Sequence, residues 1–414
     1  MLASVLFAAL CIASPPAADV PIVAGHVVFA SVVRIEERAA ELYAALGMDG
    51  LFDPAWIAAD FAAGWPANDL TGLDRTAPVG RVLLVDSVGR VSAAPFARIV
   101  DARGFESALA AAGWKRDPGS TERIVGADAR ERFLVTLASG ETAVAADAGE
   151  ADVLRALRLP ADLAAGAAPC DARVHLDVAA ALPRVLPVVR TAVDLAISWS
   201  RMKEMMSLSA RPADPEHPRV APSEILARCV PPALALVGDW RAFDCDVTLG
   251  PDAVTIRAEV AMQPRSKSAE FVRTLVDDSL PELVPPPEGA RLAIASTGDG
   301  AALADLLAAS GVCAAASPLP TALRASAGGI YLVVPGANAA ERPWALDLPR
   351  PAGTIRAAGT FAAAIGPLLG SADGCESDAP VVSGVVHANG ETLRANLRLA
   401  HADLRRLVPN ARVK

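Results

Sequence analysis

The sequence predicts an α+β protein, with antiparallel sheets made from repeated β-hairpin–helix units and packed with amphipathic helices. Three observations carry that expectation. A hairpin-plus-helix pattern recurs at residues 132–157, 243–275 and 381–408. Each stretch has two runs of period-2 alternation with a turn signal between them, then a short helical run. The turn signals are Ser139-Gly140, Gly250-Pro251-Asp252 and Asn389-Gly390. Asn-Gly is the strongest of these, because both central residues of a type I′ turn need positive φ. Gly-Glu-Thr recurs at 140–142 and 390–392, which suggests internal duplication. Strands and helices, finally, do not alternate in the steady βαβ rhythm that builds a parallel sheet.

Taken in order, the chain opens with an apolar run from Leu2 to Ala13, followed by small residues and Pro. That run has the length of a secretory h-region, so residues 1–18 are expected to be a signal peptide and the mature chain secreted or periplasmic. No Lys or Arg precedes Arg34, and Leu10 stands where a lipobox before Cys11 would need a small residue. An N-terminal α+β domain is expected over 20–165. Residues 26–48 read as strand then helix. Residues 53–64 read as a helix with Asp53 at the N-cap, Pro54 at the first helical position and Gly64 at the end. Trp56, Phe61 and Trp65 are expected to pin these early helices. A strand at 81–86 and a strand–helix step at 95–113 follow. A C-terminal α+β region is expected over 168–414, with a candidate subdivision at the Pro-rich 281–290. It begins with a strand "RVHLDV" at 173–178 and contains a buried strand within 327–338.

Residues 178–200 are the closest approach to a membrane span after the signal peptide. Arg184, Arg190 and Asp194 defeat that reading, since a central charge costs about 2.5–3.5 kcal/mol on insertion scales. Leu182, Val185, Leu186, Val189, Val193, Ala196 and Trp199 follow helical spacing, so an amphipathic core helix is expected.

Composition narrows the function classes. Of 414 residues 53% are hydrophobic and 21% charged, ample for buried cores, but only 4% are aromatic, so those cores must use Val, Leu, Ala and Ile. A net charge of −9 without a basic stripe argues against nucleic acid and against electrostatic docking on anionic lipid. The cysteines at 11, 170, 229, 245, 313 and 375 form no C-x-x-C pair, which argues against zinc and iron–sulfur sites. Cys313 with Cys375, Cys229 with Cys245, or buried free thiols all fit the spacing. The five histidines, at 26, 175, 217, 387 and 401, show no metal-ligand spacing, and His175 reads as an ordinary strand residue beside Asp177. There is no P-loop, nucleophile elbow or dinucleotide fingerprint. No catalytic, metal or cofactor site is therefore expected.

One stretch carries a sharper chemical signal. "AFDCDVTLG" at 242–250 resembles the first motif of haloacid-dehalogenase-type phosphatases, with Asp244, Asp246 and Thr248 matching. The resemblance implies an Mg²⁺-dependent phosphohydrolase with Asp244 as nucleophile and Asp246 as general acid. It further implies Lys267 as the cation and Asp299, in "STGDGAALADLLAASGV", as a metal carboxylate. Against it, that family needs a parallel sheet, whereas "AVTIRAEVAM" at 253–262 reads as a direct hairpin return. The alternation explains the acids without chemistry. Phe243, Cys245, Val247 and Leu249 face in, and Asp244, Asp246 and Thr248 face out from a solvated sheet edge. Arg257 on the return strand is the expected cross-strand partner of Asp246.

The run from "GLDRTAPVGRVLLV" through "PFARIVDARGFESALAAAG" to the first Gly-Glu-Thr hairpin resembles large secreted bacterial proteins of unknown function. These are built from repeated strand–helix and hairpin–helix units. The resemblance covers about residues 26–157 and implies an α+β build and an extracytoplasmic location, with no catalytic residue. The expectation is a non-enzymatic binding or structural protein whose partner is another protein or an apolar ligand. Trp199, Met202, Met205 and Met206 mark the place to look for an apolar groove, because Met-rich surfaces adapt to partners. The phosphohydrolase centred on Asp244 and Asp246, and a self-assembling envelope component, are the alternatives.

Overall fold

The computed structural model describes residues 20–48, 50, 52–159, 170–208, 222–274, 292–296, 322–326, 329–333, 354–360 and 381–401. The chain divides into two compact units, Met1–Val189 with Phe243–Val254, and Arg190–Ala242 with Thr255–Lys414. Both helices and antiparallel sheet are present, so the α+β class holds.

The first unit begins with β1 (Ile22–Phe29), α1 (Val32–Ala45) and α2 (Pro54–Ala62). Ser31 starts α1 by accepting the Arg34 N–H at 3.0 Å. Asp53 starts α2 by accepting from the Ala55 N–H, with Pro54 at N1 as the sequence predicts. Then come β2 (Val79–Val85), β3 (Val91–Ala97) and α3 (Ala102–Ala111), capped by Asp101. The short strands β4 (Lys115–Arg116) and β5 (Arg123–Val125) precede the first hairpin, β6 (Glu131–Thr136) and β7 (Thr142–Ala145), which leads into α4 (Ala148–Ala156). After β8 (Ala172–Asp177) the chain enters the helix α5 (Val178–Leu208). The unit is completed by β9 (Trp240–Leu249) from Phe243 onward. Its strand order is β9-β8-β1-β2-β3-β7-β6-β5-β4.

This sheet is apolar on both faces, and the period-2 alternation shows how. Along β2, Val82 and Leu84 enter one core with Val28, Phe96, Val135 and Leu154 of α4. Val79 enters the other, with Trp65 and with Phe105 and Leu109 of α3. On β6 and β7 the neighbours Leu134 and Val135, and Val144 and Ala145, divide the same way. Trp65 is buried and meets Phe105 edge-on at 5.9 Å, so it pins the early helices as expected, and Phe61 meets Phe29 edge-on at 5.0 Å. Trp56 remains exposed.

In the second unit, α6 (Pro222–Gly238) is tied to α5 where Ser223 donates its N–H and hydroxyl to the Glu204 carboxylate at 2.8 and 2.6 Å. β10 (Ala253–Met262) leads to α7 (Lys267–Thr274), where the Ser266 hydroxyl accepts the Ala269 N–H and Ser268 donates its N–H and hydroxyl to Asp239. Five further strands follow: β11 (Leu292–Ser296), β12 (Ala322–Ser326), β13 (Gly329–Val333), β14 (Thr354–Thr360) and the hairpin partners β15 (Val381–Asn389) and β16 (Thr392–Ala400). The order within this unit is β12-β13-β11-β14-β15-β16-β10. Among the described residues no helix is long and apolar enough to cross a membrane.

Local expectations are corrected in two places. Asn389 is the last residue of β15, opposite Thr392, so the loop is Gly390-Glu391. Gly390 has φ of 62° and Glu391 is not in the positive-φ region, a pattern of the II′ type rather than I′. On α5 the expected core stripe is buried at Val189 and half-buried at Leu182, Val185, Leu186 and Val193, but Ala196 and Trp199 are exposed. Of the alternatives open for the cysteines, free thiols hold at Cys170 and Cys245, so no Cys229–Cys245 bridge forms; Cys313 and Cys375 lie outside the described residues.

Candidate functional site

The face of the first sheet that α2 and the loop after it cover leaves a cavity of about 220 Å³. Its floor follows from strand register. Val27 lies opposite Arg81, which lies opposite Pro95, and Leu83 lies opposite Ala93 in the next row. Paired residues share a face, so these side chains line one surface that is apolar apart from Arg81. The other wall is Phe61 at the end of α2 with Trp65, Leu70 and Leu73 from the loop that follows. A neighbouring open groove of about 480 Å³ shares Leu70 and Arg75 with the cavity.

Charged groups in the lining are Asp60, Asp74, Arg75 and Arg81. Three of them differ in how far they are committed. Arg75 donates to both carboxylate oxygens of Glu36, at 2.6 and 2.8 Å. Asp74 is bound into its own turn, accepting from the Thr76 hydroxyl at 2.7 Å and from the Thr76 and Ala77 N–H groups. The Thr76 hydroxyl, with those N–H groups behind it, holds the Asp74 carboxyl below its ordinary value. Arg81 is half-buried, and its Nη2 donates to the main-chain oxygen of Asp60 at 2.9 Å. Among the described residues its guanidinium meets no carboxylate.

The sharpest sequence signal lies elsewhere, on the opposite face of the same sheet. Phe243–Leu249 is not a solvated edge, since β8 runs beside it and its own turn is closed by Gly250 N–H donating to Ala253 O at 3.0 Å. The outward acids are taken up by β8. Arg173 makes a two-pronged pair with Asp246, Nε to Oδ1 at 2.5 Å and Nη2 to Oδ2 at 3.0 Å, where the sequence pointed to Arg257. His175 Nδ1 lies 2.8 Å from Asp244 Oδ1. One strand further, His26 lies opposite His175, their rings stacked with centroids 5.2 Å apart. The hydrogen bond to Asp244 raises the His175 pKa above its ordinary value, while burial works against it. Burial first, and then the Asp246 charge, raise the Cys170 and Cys245 thiols. Asp244 and Asp246 therefore sit in a lattice of cross-strand pairs on antiparallel strands. Lys267 begins α7, and Asp299 and His217 lie outside the described residues.

Trp199, Met202, Met205 and Met206 are all exposed on α5, as is Leu195. Leu195, Trp199, Met202 and Met206 fall at helical spacing and form one exposed apolar stripe. The ammonium of Lys203 stands over the Trp199 ring at 6.0 Å.

No protein-family model, no curated protein and no solved structure matches this chain. Sequence reasoning missed Arg81 and Asp171. Arg81 sits in "RVLLVD", where nothing marks it off from an ordinary strand arginine. Asp171 is a single acid in "CDAR", and its role depends on partners far along the chain.

Proposed function

We propose that this is an extracytoplasmic, non-enzymatic binding protein that takes a small apolar ligand in the cavity over β1–β3. The observation that carries the reading is the cavity itself, floored by Val27, Leu83 and Pro95 and walled by Phe61, Trp65 and Leu73. Concave, mostly apolar sites with a few polar groups are where small molecules bind. The location rests on the apolar run from Leu2 to Ala13. Toluene and 1-octanol should raise the melting temperature of the purified chain in a saturable way, since a ligand that binds only the folded state stabilises it. Ala93→Phe, which fills the floor, should abolish that shift. No shift in the unsubstituted protein would defeat the reading.

A second reading, self-assembly, is favoured by the exposed stripe of Leu195, Trp199, Met202 and Met206. Sedimentation velocity should then show oligomers that dissociate in Met202→Glu with Met206→Glu. A monomer at all concentrations would remove this reading.

A further inference from the structure

We infer that the ligand of the cavity is a single-chain amphiphile with a carboxylate head, a short fatty acid whose tail lies in the cavity and whose head pairs with Arg81. This deepens the proposed function and rests on it. Arg81 lies in the middle of the apolar floor, between Val27 on β1 and Pro95 on β3. An arginine can lay its stem along an apolar surface and keep its head near water; the Arg81 hydrogen bond is an exposed one, so a ligand head group can reach the guanidinium. Here, among the described residues, its partner is one main-chain oxygen, that of Asp60 at 2.9 Å. A guanidinium carries five N–H donors in a planar fork, so donors remain that match two carboxylate oxygens. The other cation of the lining, Arg75, is already committed to Glu36.

The remaining charges refine the choice of head group. Asp60 and Asp74 also line the site. Two nearby carboxylates repel a doubly charged phosphate more than a singly charged carboxylate. Volume sets the length of the tail. An apolar cavity of about 150 Å³ accommodates benzene, so by proportion about 220 Å³ holds on the order of eight carbons.

The test is calorimetric titration of the full purified chain at neutral pH with octanoate, 1-octanol and octyl phosphate. Octanoate should bind at least tenfold tighter than the other two. Arg81→Met should bring octanoate down to the level of 1-octanol, and Arg81→Lys should retain part of the preference. If 1-octanol matches octanoate on the unsubstituted protein, or octyl phosphate exceeds it, the head-group assignment is wrong while the apolar cavity stands. If none of the three binds, the cavity is not a ligand site and both readings fail. The comparison on the unsubstituted chain holds even if an Arg81 variant does not fold.

Discussion

Nδ1 of His175 lies 2.8 Å from Oδ1 of Asp244 on the neighbouring strand, and the face of the imidazole stacks on His26. The hydrogen bond to Asp244, the largest influence, lifts the His175 pKa above its ordinary 6.5; burial opposes it, and the charges of Asp244 and Asp177 assist it. A folded-state pKa above the unfolded one makes protonation favour folding. The contribution is complete below the ordinary histidine value and disappears as pH rises through the higher folded value. Asp244→Asn should lower the His175 pKa in an NMR titration. The stability gap between the two proteins should be widest at mildly acidic pH and narrow above that range. A gap that widens with pH would contradict the sign.

Arg173 and Asp246 make the adjacent cross-strand pair, with side chains only 20% and 26% exposed. Removing one partner leaves the other partly buried without its counter-charge, so Asp246→Asn should cost about 1–3 kcal/mol in urea unfolding. A double-mutant cycle with Arg173→Met should give a coupling of about 0.5–3 kcal/mol. The same variants separate structure from chemistry. With Mg²⁺, the unsubstituted chain should not turn over a generic phosphate ester. Turnover abolished by chelator and by Asp244→Asn would restore the phosphatase assignment.

How far these features could be read in advance depended on the range of the interaction. The hairpins at 131–145 and 381–400 were legible because their signal is local: period-2 apolarity and a glycine at the turn. The alternation of Asp244, Asp246 and Thr248 was equally legible. Their partners were not, since Arg173 and His175 lie 73 and 69 residues away and strand neighbours at that distance are chosen by tertiary packing. The cavity was invisible for the same reason, since it needs three strands in register and a loop folded across them. The helix at 178–208 shows the converse, with a correct period along its length but an apolar stripe that faces water at Trp199 and Met206.

Gly25 fixes the approach of β1 to β8. A bulge falls between Val23 and Gly25, and a Cβ on Gly25 would sit 2.0 Å from the main-chain oxygen of His175. The obstacle is backbone and cannot rotate away. Gly25→Ala should therefore cost about 1–3 kcal/mol in chemical unfolding, as overpacking does elsewhere. It should also shift the NMR signals of both His26 and His175, because the stacked rings depend on this register. A neutral substitution would show that β1 can slide without loss.

Asp171, almost fully buried, fastens three elements at one point. Its carboxylate meets Arg34 Nε of α1 at 2.6 Å and accepts the Leu249 N–H of β9 at 2.5 Å. Its own main chain donates to Val247 O at 2.8 Å and accepts from Ala30 N–H at 2.9 Å. Asp171→Ala leaves the main-chain bonds possible but takes the acceptor from the part-buried Leu249 N–H and the counter-charge from Arg34, whose side chain is 36% exposed. Charge-assisted bonds contribute about 1.5–3 kcal/mol each, and a buried donor left unmade costs about 1–3 kcal/mol, so a loss of about 2–4 kcal/mol is expected. Asp171→Asn keeps an acceptor for the Leu249 N–H but not the charge facing Arg34, and should lose about half as much. Hydrogen exchange locates the effect. Amides of Phe243–Leu249 should lose protection in Asp171→Ala while those of β6 and β7 keep theirs. Uniform loss across both regions would mean that Asp171 supports the whole unit rather than the seating of β9.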